Sequence, residues 1–302
     1  MNNEPLVSII MNCYNSDRHL EEAIESVYAQ TYKNWEIIFW DNASIDSSAE
    51  IANSYDGRLK YFLAEDMAPL GEARNFAMRK ATGKYIAFLD CDDLYLPEKL
   101  DKQVSQMEEG RVDFCYASAV VIDDEGIEIN RHITKNNSGY LFGSLLRQYD
   151  INMQSAMVRH DLLLDNKITF DLSLKYSPDY NLFMKIAAIA YTGVLRECLV
   201  KYRMTGASLT AKSYNLIYNE RKYTLDLLCR HSELFIRNRT SFDYAFNMLN
   251  YYEAIKYIST GEYVLARACF RKVLNIKWKY TIFYLLLFLP LSPSFFLKSF
   301  FK

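Results

Sequence analysis

The segment Lys84–Pro97, KYIAFLDCDDLYLP, constrains this chain more than any other stretch. Five apolar residues, Tyr85 to Leu89, stop at Asp90, Asp92 and Asp93, three carboxylates within four residues. A short apolar run of this kind reads as a buried strand, and ligands in open α/β sheets bind just beyond the carboxyl ends of strands. Acids so close repel one another, so a divalent cation or a well-hydrated loop must hold them. Carboxylate oxygens suit Mg2+ or Mn2+, usually bound through one or two carboxylates together with substrate phosphates. Two readings stay open on this segment alone: a metal–phosphate site at a strand end, or an acidic surface turn capped by Pro97.

The same pattern recurs upstream. Leu6–Met11 is an apolar run ending in Asn12-Cys13-Tyr14-Asn15-Ser16, followed by a helical pattern through Leu20, Ala23, Ile24 and Val27. Trp35–Trp40 is a second strand ending in Asp41-Asn42-Ala43-Ser44; Leu59–Leu63 is a third, and Gly71–Ala81 is helical. This alternation predicts a mostly parallel sheet covered on both faces, with Asn15, Asp41 and Asp90–Asp93 along one edge. Downstream, helices are expected over Leu100–Glu109 and Tyr180–Ala190, and strands over Val112–Val121, Ile127–Ile133, Met153–Val158 and Gly193–Tyr202. Neither G-x-G-x-x-G after the first strand nor G-x-x-x-x-G-K-[ST] occurs, which removes the main support for a dinucleotide site or a P-loop.

After Ala211 the character changes. Leu216–Ile276 has a single Gly, no Pro and a period of three and four; Tyr252–Leu274 resembles one tetratricopeptide-like hairpin. Tyr280–Leu297 carries no charge for eighteen residues, with Lys277 and Lys279 before it and Lys298 and Lys302 after. A spanning helix wants ~20 apolar residues, and Pro290 and Pro293 interrupt this one. A monotopic or re-entrant anchor on anionic headgroups is the favoured reading; a buried C-terminal helix is the other. The expected domains are therefore 1–212, 213–276 and 277–302. Net charge of −2 argues against a nucleic-acid partner. Six scattered cysteines suit a reducing compartment, and MNNEPLVSII lacks a basic leader, so the expected location is cytoplasmic and peripheral on the inner face of the membrane.

Four stretches in this order, LVSIIMNCYN, WEIIFWDNASID, GEARNFAMRKATGKYIAFLDCDD and SPDYNLFMKIA, resemble the family 2 inverting glycosyltransferases over about residues 5–210. The resemblance implies a GT-A fold, α/β and Rossmann-like, here with a helical appendage. It also implies a nucleotide-sugar donor contacted by Cys13, Tyr14, Asn15, Asp41, Arg74, Asp90 and Arg203. The D-x-D motif implies Mn2+ or Mg2+ on Asp92, with Asp90 and Asp93 as further candidates. Asp179 falls where the family carries its catalytic base, although Pro178 replaces the usual preceding acid. Tyr202-Arg203 and Ser208 resemble the family's downstream loop without its usual His, and no Q-x-x-R-W of processive synthases is present.

The implied activity is a metal-dependent, inverting, non-processive transfer of a hexosyl or N-acetylhexosaminyl group. The donor would be a uridine diphosphate sugar and the acceptor a hydroxyl on a glycan or lipid-linked glycan, in bacterial cell-surface glycan synthesis. Two alternatives compete: an inactive sugar-nucleotide-binding scaffold of a glycan-assembly complex, and a sugar nucleotidyltransferase. The second normally needs a Gly-rich basic loop after the first strand, and NCYNSDRHL has no Gly.

Overall fold

The computed structural model describes residues 4–110, 112–204, 214–274, 276 and 278–289. The chain divides into two compact units, Met1–Leu145 with Tyr149–Thr205, and Leu146–Gln148 with Gly206–Lys302. The first unit opens with β1 (Val7–Cys13), α1 (Asp17–Tyr28), β2 (Trp35–Asp41), α2 (Ser48–Asn53), β3 (Leu59–Leu63), α3 (Leu70–Met78) and β4 (Tyr85–Phe88). The four strands form a parallel ladder in the order β3-β2-β1-β4. All of β4 and nearly all of β1 and β2 are buried, which is why their sequences run continuously apolar instead of alternating. Helix α1 buries Leu20, Ala23, Ile24 and Val27, one face of a 3.6-residue period.

Beyond β4 the parallel pattern gives way. The unit continues with β5 (Leu94–Tyr95), α4 (Lys99–Glu109), β6 (Phe114–Ile122), β7 (Glu128–His132), α5 (Phe142–Arg147), β8 (Met157–Arg159), α6 (His160–Asp165), α7 (Pro178–Ala187) and β9 (Thr192–Arg203). Strand β8 lies antiparallel between β4 and β6, β9 runs parallel to β6, and β5 and β7 add antiparallel edges. The sheet is thus parallel over its first four strands and mixed after them. A strand over Met153–Val158 is not what forms: Met153–Ser155 is a 3-10 turn, and only Met157–Arg159 pairs. Asn152 is the reason, since its side chain accepts from the Gln154 N–H and its carbonyl from the Ser155 hydroxyl. Such local bonds compete with a ladder and win at Asn and Ser.

One buried carboxylate ties the amino-terminal halves of these strands together. Glu36 of β2 accepts from the Ser8 hydroxyl of β1 at 2.6 Å, from the Thr82 N–H and hydroxyl at 3.0 and 2.8 Å, and pairs with Lys60 of β3 at 2.5 Å. Gly83 completes the knot, its N–H reaching Ser8 Oγ at 2.8 Å; a Cβ there would sit 2.7 Å from the Leu6 carbonyl oxygen. Burial opposes the charge of Glu36, but Lys60, Ser8 and Thr82 outweigh it and hold the carboxyl below its ordinary range.

The second unit is helical: α8 (Tyr214–Cys229), α9 (Ser232–Arg237), α10 (Arg239–Ser259), α11 (Tyr263–Arg271) and α12 (Trp278–Leu286). Helices α10 and α11 form the expected hairpin, turning at Gly261 with φ +79°, a conformation that glycine reaches without strain. Ala254, Ile258, Ala266, Phe270 and Tyr280 make its core. Helix α12 leaves Trp278, Ile282 and Leu285 exposed, and Leu289 beyond it likewise. Among the described residues no helix is long and apolar enough to cross a membrane. Pro290, Pro293, Lys298 and Lys302, on which the anchor reading partly rests, lie outside the described residues.

Replacing Glu36 by Gln should lower the unfolding free energy at neutral pH by about 2 kcal/mol, the scale of hydrogen bonds to a charged group. Because the folded-state pKa is depressed, this contribution is complete above the unfolded-state value and is lost as pH falls through the folded one. Urea melts of wild type and Glu36→Gln should therefore differ at pH 7 and converge in acid. Equal midpoints at pH 7 would contradict the role given to this knot.

Candidate active site

The first corner of the site lies where β1 and β2 end side by side. Asn15 has φ +48°, its N–H donates to Ser44 Oγ, and its Oδ1 accepts from the Ile45 N–H at 2.9 Å, so the two strand-end loops are cross-linked. Asp41 is fully buried; Oδ1 accepts from the Ser44 N–H at 2.8 Å and Oδ2 from the Tyr61 hydroxyl at 2.7 Å. Asn42 exchanges two bonds with Ala68, donating to its carbonyl and accepting from its N–H. A carboxylate could not donate there, which accounts for Asn at that position. Tyr14 is half exposed. Cys13, expected among the nucleotide contacts, is instead wholly buried in the core under β1. Its place in the strand's alternation turns the thiol inward.

The acid loop follows β4, and its three carboxylates meet different fates. Asp90 accepts from Arg74 Nη2 at 2.8 Å and from Gln154 Nε2 at 2.8 Å. Arg74 is buried on α3, its guanidinium 5.6 Å from the centre of the Phe170 ring. Asp93 is buried and accepts from the Arg203 N–H at 2.6 Å through Oδ1; burial, then the charges of Asp92 and Asp90, push its carboxyl well up. Asp92 is partly buried, and its carboxylate receives no hydrogen bond from another described residue. Burial first, and the Asp90 charge second, push its carboxyl up as well.

Arg203 does something other than what the sequence suggested. Its side chain is almost wholly buried: Nε donates to the Asp92 carbonyl at 2.9 Å, Nη1 to the carbonyls of Asp123 and Asp124, and Nη2 to Glu22 at 2.7 Å. The guanidinium is directed into the protein, where it fastens the acid loop to the β6–β7 turn and to α1. Ser208 lies outside the described residues.

Asp179 occupies the first turn of α7, after Ser177 and Pro178, where the helix dipole favours a negative charge. Phe183 of the same helix packs on Phe88 of β4 and Phe114 of β6, which anchors α7 over the sheet beside the acid loop. Tyr202 reports the convergence. Burial raises its phenol to about 12, and the negative fields of Asp93, Asp90, Asp92 and Asp179 push in the same direction. Next to Tyr202 opens a cleft of about 330 Å³ lined by Ala119, Val121, His132, Tyr149, Asp150, Ile151, Asn152 and Tyr202. Gln154 and Asn152 belong to the site, yet no sequence motif marks them.

Among the described residues, no three His, Cys, Asp or Glu side chains are grouped to hold a metal ion unaided. The residues do fit an ion shared with phosphate, because the Asp92 carboxylate has no ion pair or hydrogen bond to another described side chain. Asp90 and Asp93 fit less well: the first is already neutralised by Arg74, and the second lies beneath the surface.

The sequence profile of glycosyl transferase family 2 matches residues 8–162. An uncharacterized glycosyltransferase of Rickettsia felis is 33% identical over 224 residues, 74% of this chain but only 36% of that protein. The chain thus spans about a third of the length of that relative. WfgD of Escherichia coli, a UDP-Glc:α-D-GlcNAc-diphosphoundecaprenol β-1,3-glucosyltransferase, is 29% identical over 212 residues, covering 69% of this chain and 81% of WfgD. Among solved structures, a mannosyltransferase of Pyrobaculum calidifontis in complex with GDP-Man and Mn2+ superposes with a TM-score of 0.65 at 15% identity, covering 95% of this chain and 85% of the other. At that identity the likeness speaks to the fold.

The two roles conceivable for Arg203 make opposite predictions. As a buried clamp, Arg203→Met removes the donor that reaches the Asp92 and Asp124 carbonyls, each loss costing ~1–3 kcal/mol, so thermal melting should fall by several degrees whether or not a nucleotide is present. A residue that merely touched substrate would leave melting of the empty protein unchanged, and that result would overturn the assignment.

Proposed function

The chain belongs to glycosyl transferase family 2, and we propose that it moves a sugar from a uridine diphosphate donor to a hydroxyl of a glycan or lipid-linked glycan, one residue at a time and with inversion. The observation that carries this reading is the unequal treatment of the acid loop: Asp90 is paired with Arg74 and hydrogen-bonded by Gln154, which leaves Asp92 to face an ion and a diphosphate. WfgD's donor and diphosphoundecaprenol-linked acceptor support the choice of substrates.

In this reading Asp92 would hold Mg2+ or Mn2+, an ion whose chemistry is to neutralise charge on the departing diphosphate. Arg74, at the same edge, offsets the charge of Asp90, so that this acid opposes the diphosphate less. Tyr14 and Asn15 lie at the β1 corner, toward the nucleoside, over the buried Asp41. Asp179 takes the proton of the acceptor hydroxyl as that oxygen attacks the anomeric carbon. Attack from the face opposite the leaving group inverts the centre, and no covalent enzyme intermediate is needed. The nucleotidyltransferase alternative would release inorganic pyrophosphate and the scaffold nothing; a transferase releases nucleoside diphosphate.

The helical unit supports a place at an anionic membrane surface. Trp278, Ile282 and Leu285 are exposed at the i, i+4, i+7 spacing of one helix face, with Leu289 exposed just beyond the helix, and residues 259–302 hold seven Lys and Arg against one acid. Such an apolar face with basic flanks suits the interface plane.

Asp179→Asn should keep donor affinity, since the amide fills the same volume at the helix start, while kcat falls by roughly 10²–10⁴. A raised KM with kcat intact would instead mark Asp179 as a ground-state contact. For the membrane surface, wild type should sediment with phosphatidylglycerol vesicles at low salt, and Trp278→Ser with Leu285→Ser should not. Wild-type protein left in the supernatant would remove the membrane from the account.

A further inference from the structure

The cleft beside Tyr202 shares its walls with the acid loop. Tyr202 pairs with Val121 across β9 and β6, and its chain neighbour Arg203 binds Asp93 and the Asp92 carbonyl. On the opposite wall, Asn152 caps the turn that carries Gln154, the residue holding Asp90. Whatever fills the cleft therefore lies next to the acids.

The lining narrows the occupant by chemistry. No Lys or Arg lines the cleft, and the Asp150 carboxylate is already engaged by the Tyr116 hydroxyl, the Asn136 amide and the Lys135 N–H. A diphosphate would find no cation there and would meet the field of the acids. Tyr202 keeps a hydroxyl, and Asn152 an amide NH2, that bond to no other described residue, while Ala119 and Val121 supply an apolar floor. Donors above an apolar surface suit a neutral pyranose, whose ring face is apolar and whose rim is hydroxylated. The volume, about 330 Å³, is at the low end of ligand pockets, ~300–1,000 Å³, so it admits a sugar ring or two but not a whole lipid-linked glycan.

We propose that this cleft seats the terminal sugar of the acceptor, with the Tyr202 hydroxyl and the Asn152 amide as its specificity-determining contacts. The assignment deepens the transferase reading and rests on it for the word acceptor, though not for the sugar. Tyr202 lines the cleft and its neighbour Arg203 holds the acid loop, so a ring held there lies beside the acids.

The test uses the whole chain with saturating UDP and Mg2+, and the methyl glycosides of N-acetylglucosamine, glucose and galactose as neutral probes in saturation-transfer NMR. At least one should give a signal that survives UDP. Tyr202→Phe and Asn152→Ser should each weaken that glycoside about fivefold, the size of one hydrogen bond, with UDP affinity by calorimetry unchanged. Serine still caps the turn, so the second variant keeps Gln154 in place. Glycoside binding equal to wild type in both variants, or no signal from any probe at concentrations on the order of 10 mM, would overturn the proposal. Glycoside binding in a protein with no affinity for UDP would keep the cleft as a sugar site and overturn the uridine diphosphate donor of the proposed function instead.

Discussion

Three carboxylates at the end of one buried strand repel one another, and the site is built on how that repulsion is relieved. Asp90 receives a guanidinium and an amide, Asp93 a backbone N–H in the interior, and Asp92 neither. Partners for the first two come from far along the chain: Gln154 is 64 positions from Asp90 and Arg203 110 from Asp93. The site is therefore complete only when the mixed half of the sheet is folded.

Arg203 makes this coupling concrete. A buried guanidinium is costly to desolvate unless its donors are satisfied, and here they are satisfied by the backbone of the acid loop, the β6–β7 turn and Glu22 of α1. Loop, turn and helix are thereby held in one geometry. The Glu36 knot does the corresponding work at the other end of the parallel strands, where it fixes β1, β2 and β3 and the entry to β4 with one charge. Between the two, the strands are packed apolar layers with little freedom to shift register.

Much of this was legible in the sequence, for reasons that also explain what was not. Continuous apolar runs ending in polar residues marked β1, β2 and β4, because a strand buried on both faces has no alternation to hide it. The convergence of Asn15, Asp41 and Asp90–Asp93 follows from parallel topology alone. Gln154 was invisible because its role depends on a partner distant in sequence, and the 3-10 turn that presents it was masked by apolar neighbours that read as a strand. Cys13 and Arg203 show the limit of reading a residue by its place in a motif: position put both at the site, but strand alternation sends the thiol into the core and β9 delivers the guanidinium beneath the loop.

The central claim is that Asp92, and not Asp90, faces the ion while Arg74 and Gln154 hold Asp90. The most direct measurement is the anomalous scattering from a crystal of the protein grown with UDP and Mn2+. The account predicts one peak in bonding contact with the Asp92 carboxylate and the diphosphate, with the Arg74–Asp90 pair intact. A peak bound to Asp90 with that pair broken, or UDP bound with no ion near the loop, would contradict it.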